Sequence, residues 1–157
     1  MSIYIFGHSR LALMLQQLII GTFIIALTIV IQVLFIGAVT EALQRLGNWL
    51  ATPPISRKSI IVLISTVFWL IGGISVCAWI WAAVFLLLNV FQELEPAVYF
   101  SVVTMTTLGY GDIILDAKWR LLSGLTAVNG LIIFGLTTAF LVEFISQLRK
   151  AQNKRPT

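Results

Sequence analysis

Three long apolar runs limit what this chain can fold into. Residues 18–40, 60–90 and 121–148 are almost free of charge. Each has the roughly 20 residues that a helix needs to cross a hydrocarbon core about 30 Å thick. The whole chain is 59% hydrophobic and only 10% charged, with a mean hydropathy of +1.02. A soluble domain of 157 residues would need far more polar surface. The expectation is therefore an all-α integral membrane protein, with too little chain left over for a separate soluble regulatory domain. The net charge is +4, and the basic residues gather at the ends of the apolar runs. Membrane topology accounts for that pattern, and nucleic acid is not expected as a partner. The lone Cys77 lies within an apolar run and reads as a small packed side chain. His8 has no partner in view and reads as a surface or interfacial residue.

Taken in order, residues 1–17 mix apolar side chains with His8, Arg10, Gln16 and Gln17. They lack the pattern of a cleaved secretory signal and read as an interfacial segment. Residues 18–53 hold an additional membrane helix and a loop. Gln32, near the middle of that helix, is expected to bond a neighbouring helix. Glu41 to Ser59 is the expected break: Pro53 and Pro54 stop helix formation, and Ser56 or Ser59 is placed to cap the next helix. Residues 60–90 form that helix, where Gly72 and Gly73 allow close approach. Glu93, Glu95 and Pro96 make a good helix start. Residues 97–107 are expected as a short helix, tolerated at membrane depth where protein surrounds it and it borders a water-filled cavity. The last helix covers 121–148, and a basic tail occupies 151–157.

The short helix runs into Thr107-Leu108-Gly109-Tyr110-Gly111-Asp112. A cation can be dehydrated by backbone carbonyls that all point the same way along an axis. An ordinary strand alternates its carbonyls, so some residues here must take left-handed angles. Gly109 and Gly111 can do so without a Cβ clash. Thr107 adds a hydroxyl oxygen at the inner end. Tyr110 is expected to turn its ring back into the protein and hold the loop open.

This stretch resembles the Thr-X-Gly-Tyr-Gly-Asp signature of tetrameric potassium channels, with Leu108 where Val or Ile is commoner. Residues 54–150 look like the pore module of simple bacterial potassium channels: outer helix, re-entrant pore helix and filter loop, inner helix. The resemblance implies a homotetramer around a central pore, because one chain supplies one wall. It implies K+ coordination by Thr107, Leu108, Gly109 and Tyr110, and no organic cofactor. Gly111 and Asp112 would complete the filter, with Tyr99 and Phe100 as an aromatic cuff beside it. Tyr99 falls where the family's pore helix bonds the filter carboxylate. Val103 stands where some members carry a Glu. Residues 130–139 resemble the bending region of the inner helix, with Gly130 and Gly135 as hinge or packing positions and Phe134 and Thr138 toward the cavity. The additional helix at 18–40 is not explained by the resemblance.

If Thr138 faces the cavity, helical spacing puts Ala127, Leu131, Phe134, Val142 and Ile145 on its face. Asn129 then lies opposite and is expected to bond an adjacent helix. Glu143 shares that side, within reach of Arg57 or Lys58. Charge distribution assigns Arg45, Arg57, Lys58 and the tail to the cytoplasm, with the amino terminus outside. A bacterial inner membrane is the expected location. Membrane lipid and further copies of the chain are the expected partners, with room for an unidentified regulatory one. No enzymatic constellation is apparent. The functional expectation is a potassium-selective channel. The alternatives are a less selective cation channel, or an accessory subunit or transporter component with a vestigial filter.

Overall fold

The computed structural model describes the backbone of residues 2–50 and 55–153, and side-chain surroundings for residues 11–45 and 57–148. Its elements are α1 (Ser2–Leu50), α2 (Ile55–Leu87), α3 (Leu94–Met105) and α4 (Arg120–Asn153). Leu11–Arg45, Arg57–Leu87 and Arg120–Leu148 are each long and apolar enough to cross a membrane. The 12 residues of α3 reach only about 18 Å, too short to span. The expected all-helical membrane architecture is present.

Several boundaries differ from the sequence reading, each for a local reason. α1 is unbroken through residue 17 and does not stop at Glu41. Residues 41–46 are good helix formers, and Glu41 pairs with Arg45 one turn later. The 49 residues of α1 are about 74 Å long, more than the 40–45 Å of a whole bilayer, so this helix must project beyond it. α2 begins by Ile55, which puts Ser56 and Ser59 inside the helix instead of at its cap. Pro53 and Pro54 lie outside the described residues.

α2 ends at Leu87, short of Val90, because Asn89 takes a left-handed φ of 54°. The Asn89 N–H then bonds the Leu86 carbonyl and the Val90 N–H bonds that of Phe85, both at 2.9 Å. This pair of bonds satisfies the last carbonyls of the helix. α3 starts three residues earlier than expected, with Pro96 in its first turn, where the missing N–H costs no helical bond.

α1 packs against both α2 and α4, and α3 sits on α2 and α4. The core below α3 is aromatic. Phe85 meets Phe100 edge-on at 5.3 Å between ring centroids, and Phe91 lies 5.5 Å from Phe100. Trp81, Leu122 and Ile133 are fully buried in the same cluster. Cys77 is buried too, its thiol 3.6 Å from the Thr28 carbonyl. The close approach expected at the glycine pair belongs to Gly73. A Cβ there would come within 2.6 Å of Gln32 Oε1 and 2.9 Å of Phe35 Cγ.

Polar groups stitch α1 to α4 along one seam. Gln32 Nε2 donates to Thr137 Oγ1 at 2.9 Å. Asn129 Nδ2 donates to Thr28 Oγ1 at 2.8 Å, and the Thr28 hydroxyl in turn reaches the Ile24 carbonyl at 2.9 Å. Both helix-to-helix bonds match the expectations for Gln32 and Asn129. At the top of the seam Gln17 Oε1 accepts the Leu122 N–H at 3.2 Å. Leu122 lies in the first turn of α4, whose N–H groups have no partner within the helix. Gln17 therefore caps α4 from another element.

The three bonds should differ in weight. Gln17→Met leaves a buried N–H unpaired, at a cost of about 1–3 kcal/mol. Gln32→Met leaves the Thr137 hydroxyl still bonded to the Ile133 carbonyl at 2.8 Å. It also removes Gln32 Oε1, which is buried without a partner among the described residues. Denaturant unfolding in one detergent should show Gln17→Met clearly destabilised and Gln32→Met within about 1 kcal/mol of the parent protein.

Candidate functional site

The candidate filter hangs from the last turn of α3, and the way that helix ends sets its start. Thr107 takes a left-handed φ of 57°. Its N–H bonds the Thr104 carbonyl at 3.0 Å, while the Val103 carbonyl accepts Leu108 N–H at 3.1 Å and Gly109 N–H at 3.3 Å. α3 therefore closes at Met105, two residues before the expected end, in the left-handed termination usually built on Gly. A β-branched residue in that region costs about 1–3 kcal/mol and persists only when its surroundings hold it. Val103, singled out for its side chain, contributes its carbonyl. The side chain itself is buried.

Gly109 and Gly111 have φ of 51° and 79°, the left-handed angles that an aligned carbonyl ladder requires. A Cβ at either would meet nothing within 4 Å, so backbone conformation, not crowding, is what glycine supplies here. Tyr110 is 69% exposed, and its own chain does not enclose the ring. Leu108 and Ile114 are likewise exposed. The physical reason is that residues 108–111 stand off the helical body, which ends in the aromatic core around Phe100.

Asp112 is braced as the resemblance implies. Tyr99 Oη donates to Asp112 Oδ2 at 2.6 Å, and Asp112 Oδ1 accepts the Ile113 N–H at 3.1 Å. The bond from Tyr99 holds the Asp112 carboxyl below the usual carboxylate range, against a smaller opposing effect of desolvation. The same bond is the main cause that raises the Tyr99 phenol. Phe100 points the other way, into the core with Phe85 and Phe91. Behind the loop a cleft of about 370 Å³ runs between Tyr99, Thr107, Asp112 and the start of α4 at Arg120 and Ser123.

On α4 the two glycines are in different surroundings. A Cβ on Gly130 would lie 1.8 Å from the Met105 carbonyl oxygen, whereas at Gly135 nothing lies within 4 Å. Gly130 is thus a packing glycine that lets the end of α3 touch α4. Phe134, Thr138, Leu131 and Val142 are exposed on the face away from α1, while Ala127 and Ile145 are half-buried. Glu143 accepts Gln147 Nε2 at 3.0 Å, one turn along its own helix. Sequence reasoning missed Gln17 and Met105. Gln17 carried a signal, as a polar side chain at the mouth of an apolar run. Met105 carried none, because its contribution is a carbonyl.

Residues 73–147 match a family model described as ion channel. The matched stretch holds the C-terminal part of α2, all of α3, the loop that follows it and most of α4, and it lies inside the 54–150 segment read from the sequence. α1 is outside it up to Leu50. No curated protein and no solved structure matches the chain. The match supports ion conduction rather than catalysis, in an integral membrane protein with three helices able to span.

Two measurements check the site. Gly130→Ala should force α3 and α4 apart and lower stability by about 1–3 kcal/mol, whereas Gly135→Ala should unfold near the parent midpoint in the same detergent. For Asp112 the folded-state pKa is depressed. The stabilisation from Tyr99 is therefore present above the ordinary carboxylate value near 3.9 and is lost as pH falls through the lower folded value. Tyr99→Phe should move the titration of Asp112 upward, read from the protonated-carboxyl stretch in infrared spectra against Asp112→Asn as blank.

Proposed function

We propose that the chain is one subunit of a homotetrameric potassium channel, with Thr107 to Gly111 as its selectivity filter. The observation that carries this reading is the pair of left-handed glycines, Gly109 and Gly111, flanking Tyr110 directly after α3. Successive carbonyls turned to one side replace the hydration shell of a potassium ion. Thr107, Leu108, Gly109 and Tyr110 supply these oxygens, and Asp112, held by Tyr99, fixes the outer end. α3 enters the membrane without crossing it. The C-terminal end of its helix dipole, about half an electronic charge, favours a cation on the axis.

The tetramer is inferred from the surfaces that one chain leaves open. Tyr110, Leu108 and Ile114 are exposed, as is the α4 face bearing Leu131, Phe134, Thr138 and Val142. Four copies around an axis would bring these surfaces inward and turn Tyr110 against a neighbour. Phe134 and Thr138 would then line an apolar inner cavity that can gate by dewetting, and Gly135, with room around it, would be the bending point. The end bearing Arg45, Arg57 and Lys58 is cytoplasmic by the positive-inside rule.

Reversal potentials of the purified protein in planar bilayers test the reading. Under a tenfold potassium gradient the current should reverse near 59 mV in magnitude, as expected for one permeant monovalent ion. A sodium gradient should move it little. Gly109→Ala should remove the selective current, because a Cβ disfavours the left-handed angle. Equal potassium and sodium permeability would leave only a general cation channel, and absence of current an accessory role.

A further inference from the structure

A second feature lies away from the filter, between α1 and α2. Phe35 on α1 and Trp69 on α2 meet at a tilt of 33° with ring centroids 5.0 Å apart, and Trp69 Nε1 donates to the Phe35 carbonyl at 3.1 Å. Beyond this contact the antiparallel helices part around a groove of about 550 Å³. Ala38, Ala42 and Leu43 form one wall; Ile61 and Val62 form part of the other, and Trp69 closes the end. The space exists because two alanines on α1 face the aliphatic side of α2. Its volume is within the range of ordinary small-molecule sites, about 300–1,000 Å³. Its lining is mainly apolar, with Ser65 and Thr66 as its polar members, and its walls belong to helices able to span a membrane.

The open end of this groove is marked by charge. One turn beyond Ile61 on α2 come Lys58 and Arg57, the latter exposed. On the α1 side Glu41 and Arg45 pair with each other, and on the α2 side the sequence places two adjacent cations. Trp69 and Lys58 are three turns apart on α2, about 16 Å along the axis. An apolar slot that is closed at one end by an indole and opens onto cations has the chemistry of an acyl chain joined to an anionic head. Basic pockets between transmembrane helices are a known mode of anionic-lipid recognition.

We propose that the α1–α2 groove is a binding site for one anionic phospholipid. An acyl chain lies along Ala38, Ala42, Ile61 and Val62 as far as Trp69, and the phosphate rests at Arg57 and Lys58. α1 is outside the matched ion-channel segment, so the site belongs to the part of the chain that the pore does not explain. α1 supplies one wall of it, and an anionic lipid bound there bridges α1 to α2.

Native mass spectrometry of the full-length protein, titrated with phosphatidylglycerol or with phosphatidylcholine of the same chains, tests this independently of ion conduction. Phosphatidylglycerol should bind about ten- to thirty-fold more tightly, at about fivefold for each of the two cations near the head. Arg57→Gln with Lys58→Gln should bring the two lipids to near equality and leave phosphatidylcholine unchanged. Ala42→Phe should displace both lipids without altering oligomer mass. Should that variant fail to fold, Val62→Phe fills the same slot from the other wall. Equal affinity for the two lipids in the parent protein would overturn the proposal. So would a preference that survives the double substitution, or lipid binding that survives a filled groove, as when a second copy of the chain already occupies it.

Discussion

In a hydrocarbon environment every polar group needs a partner inside the protein, and that requirement organises the packing of this chain. α1 carries Gln17, Thr28 and Gln32 toward α4. Apolar packing alone gives little preference between helices in a membrane, because lipid tails are as apolar as leucine. The polar seam and the small residues decide which faces meet. Gly73 admits the Gln32 and Phe35 side chains, and Gly130 admits the Met105 carbonyl. Gly21 falls between the two, since a Cβ there would come within 2.3 Å of Leu125 Cδ1. The helices approach where a side chain is missing and lock in register where a hydrogen bond is available.

The same rule shapes the end of α3. A helix end leaves carbonyls without partners, and the chain satisfies one of them with the N–H groups of the following loop. The Val103 carbonyl receives both Leu108 and Gly109, which forces Thr107 into a left-handed angle. The strain at Thr107 is thus coupled to the position of the next two residues. Farther on, the Tyr99 bond to Asp112 ties the outer end of the loop back to the same helix, about two turns earlier. The loop is held at both ends by α3 and free between them, where Leu108 and Tyr110 are exposed.

The sequence made legible what depends on residue type at a position. Long apolar runs gave the spans, and Gly109 and Gly111 announced their angles through the missing Cβ. Gln32 and Asn129, polar in apolar surroundings, had to bond other helices, and they do. Less legible was whatever depends on continuity or on backbone atoms. Nothing in residues 41–46 forbids helix, so the charged residues there mark where apolar character ends, not where α1 ends. The roles of Val103 and Met105 reside in carbonyls that every residue possesses. Tyr110 was not placed by residue type either: the chain's own core does not enclose it.

The seam also fixes α4 at particular heights. Thr28 holds Asn129, immediately before Gly130, and Gln32 holds Thr137, two residues after Gly135. The segment between the two glycines is therefore tethered to α1 at both ends, on the side opposite Phe134 and Thr138. The two ends are not equally firm. At Gly130 the Met105 carbonyl leaves no room for movement toward α3, whereas Gly135 has open space around it. Interhelical side-chain bonds in membranes average only about 0.6 kcal/mol, close to thermal energy. The Gln32–Thr137 bond thus orients the lower half of α4 without locking it. The packing at Gly130, a contact between backbones, sets the fixed point from which that half is measured.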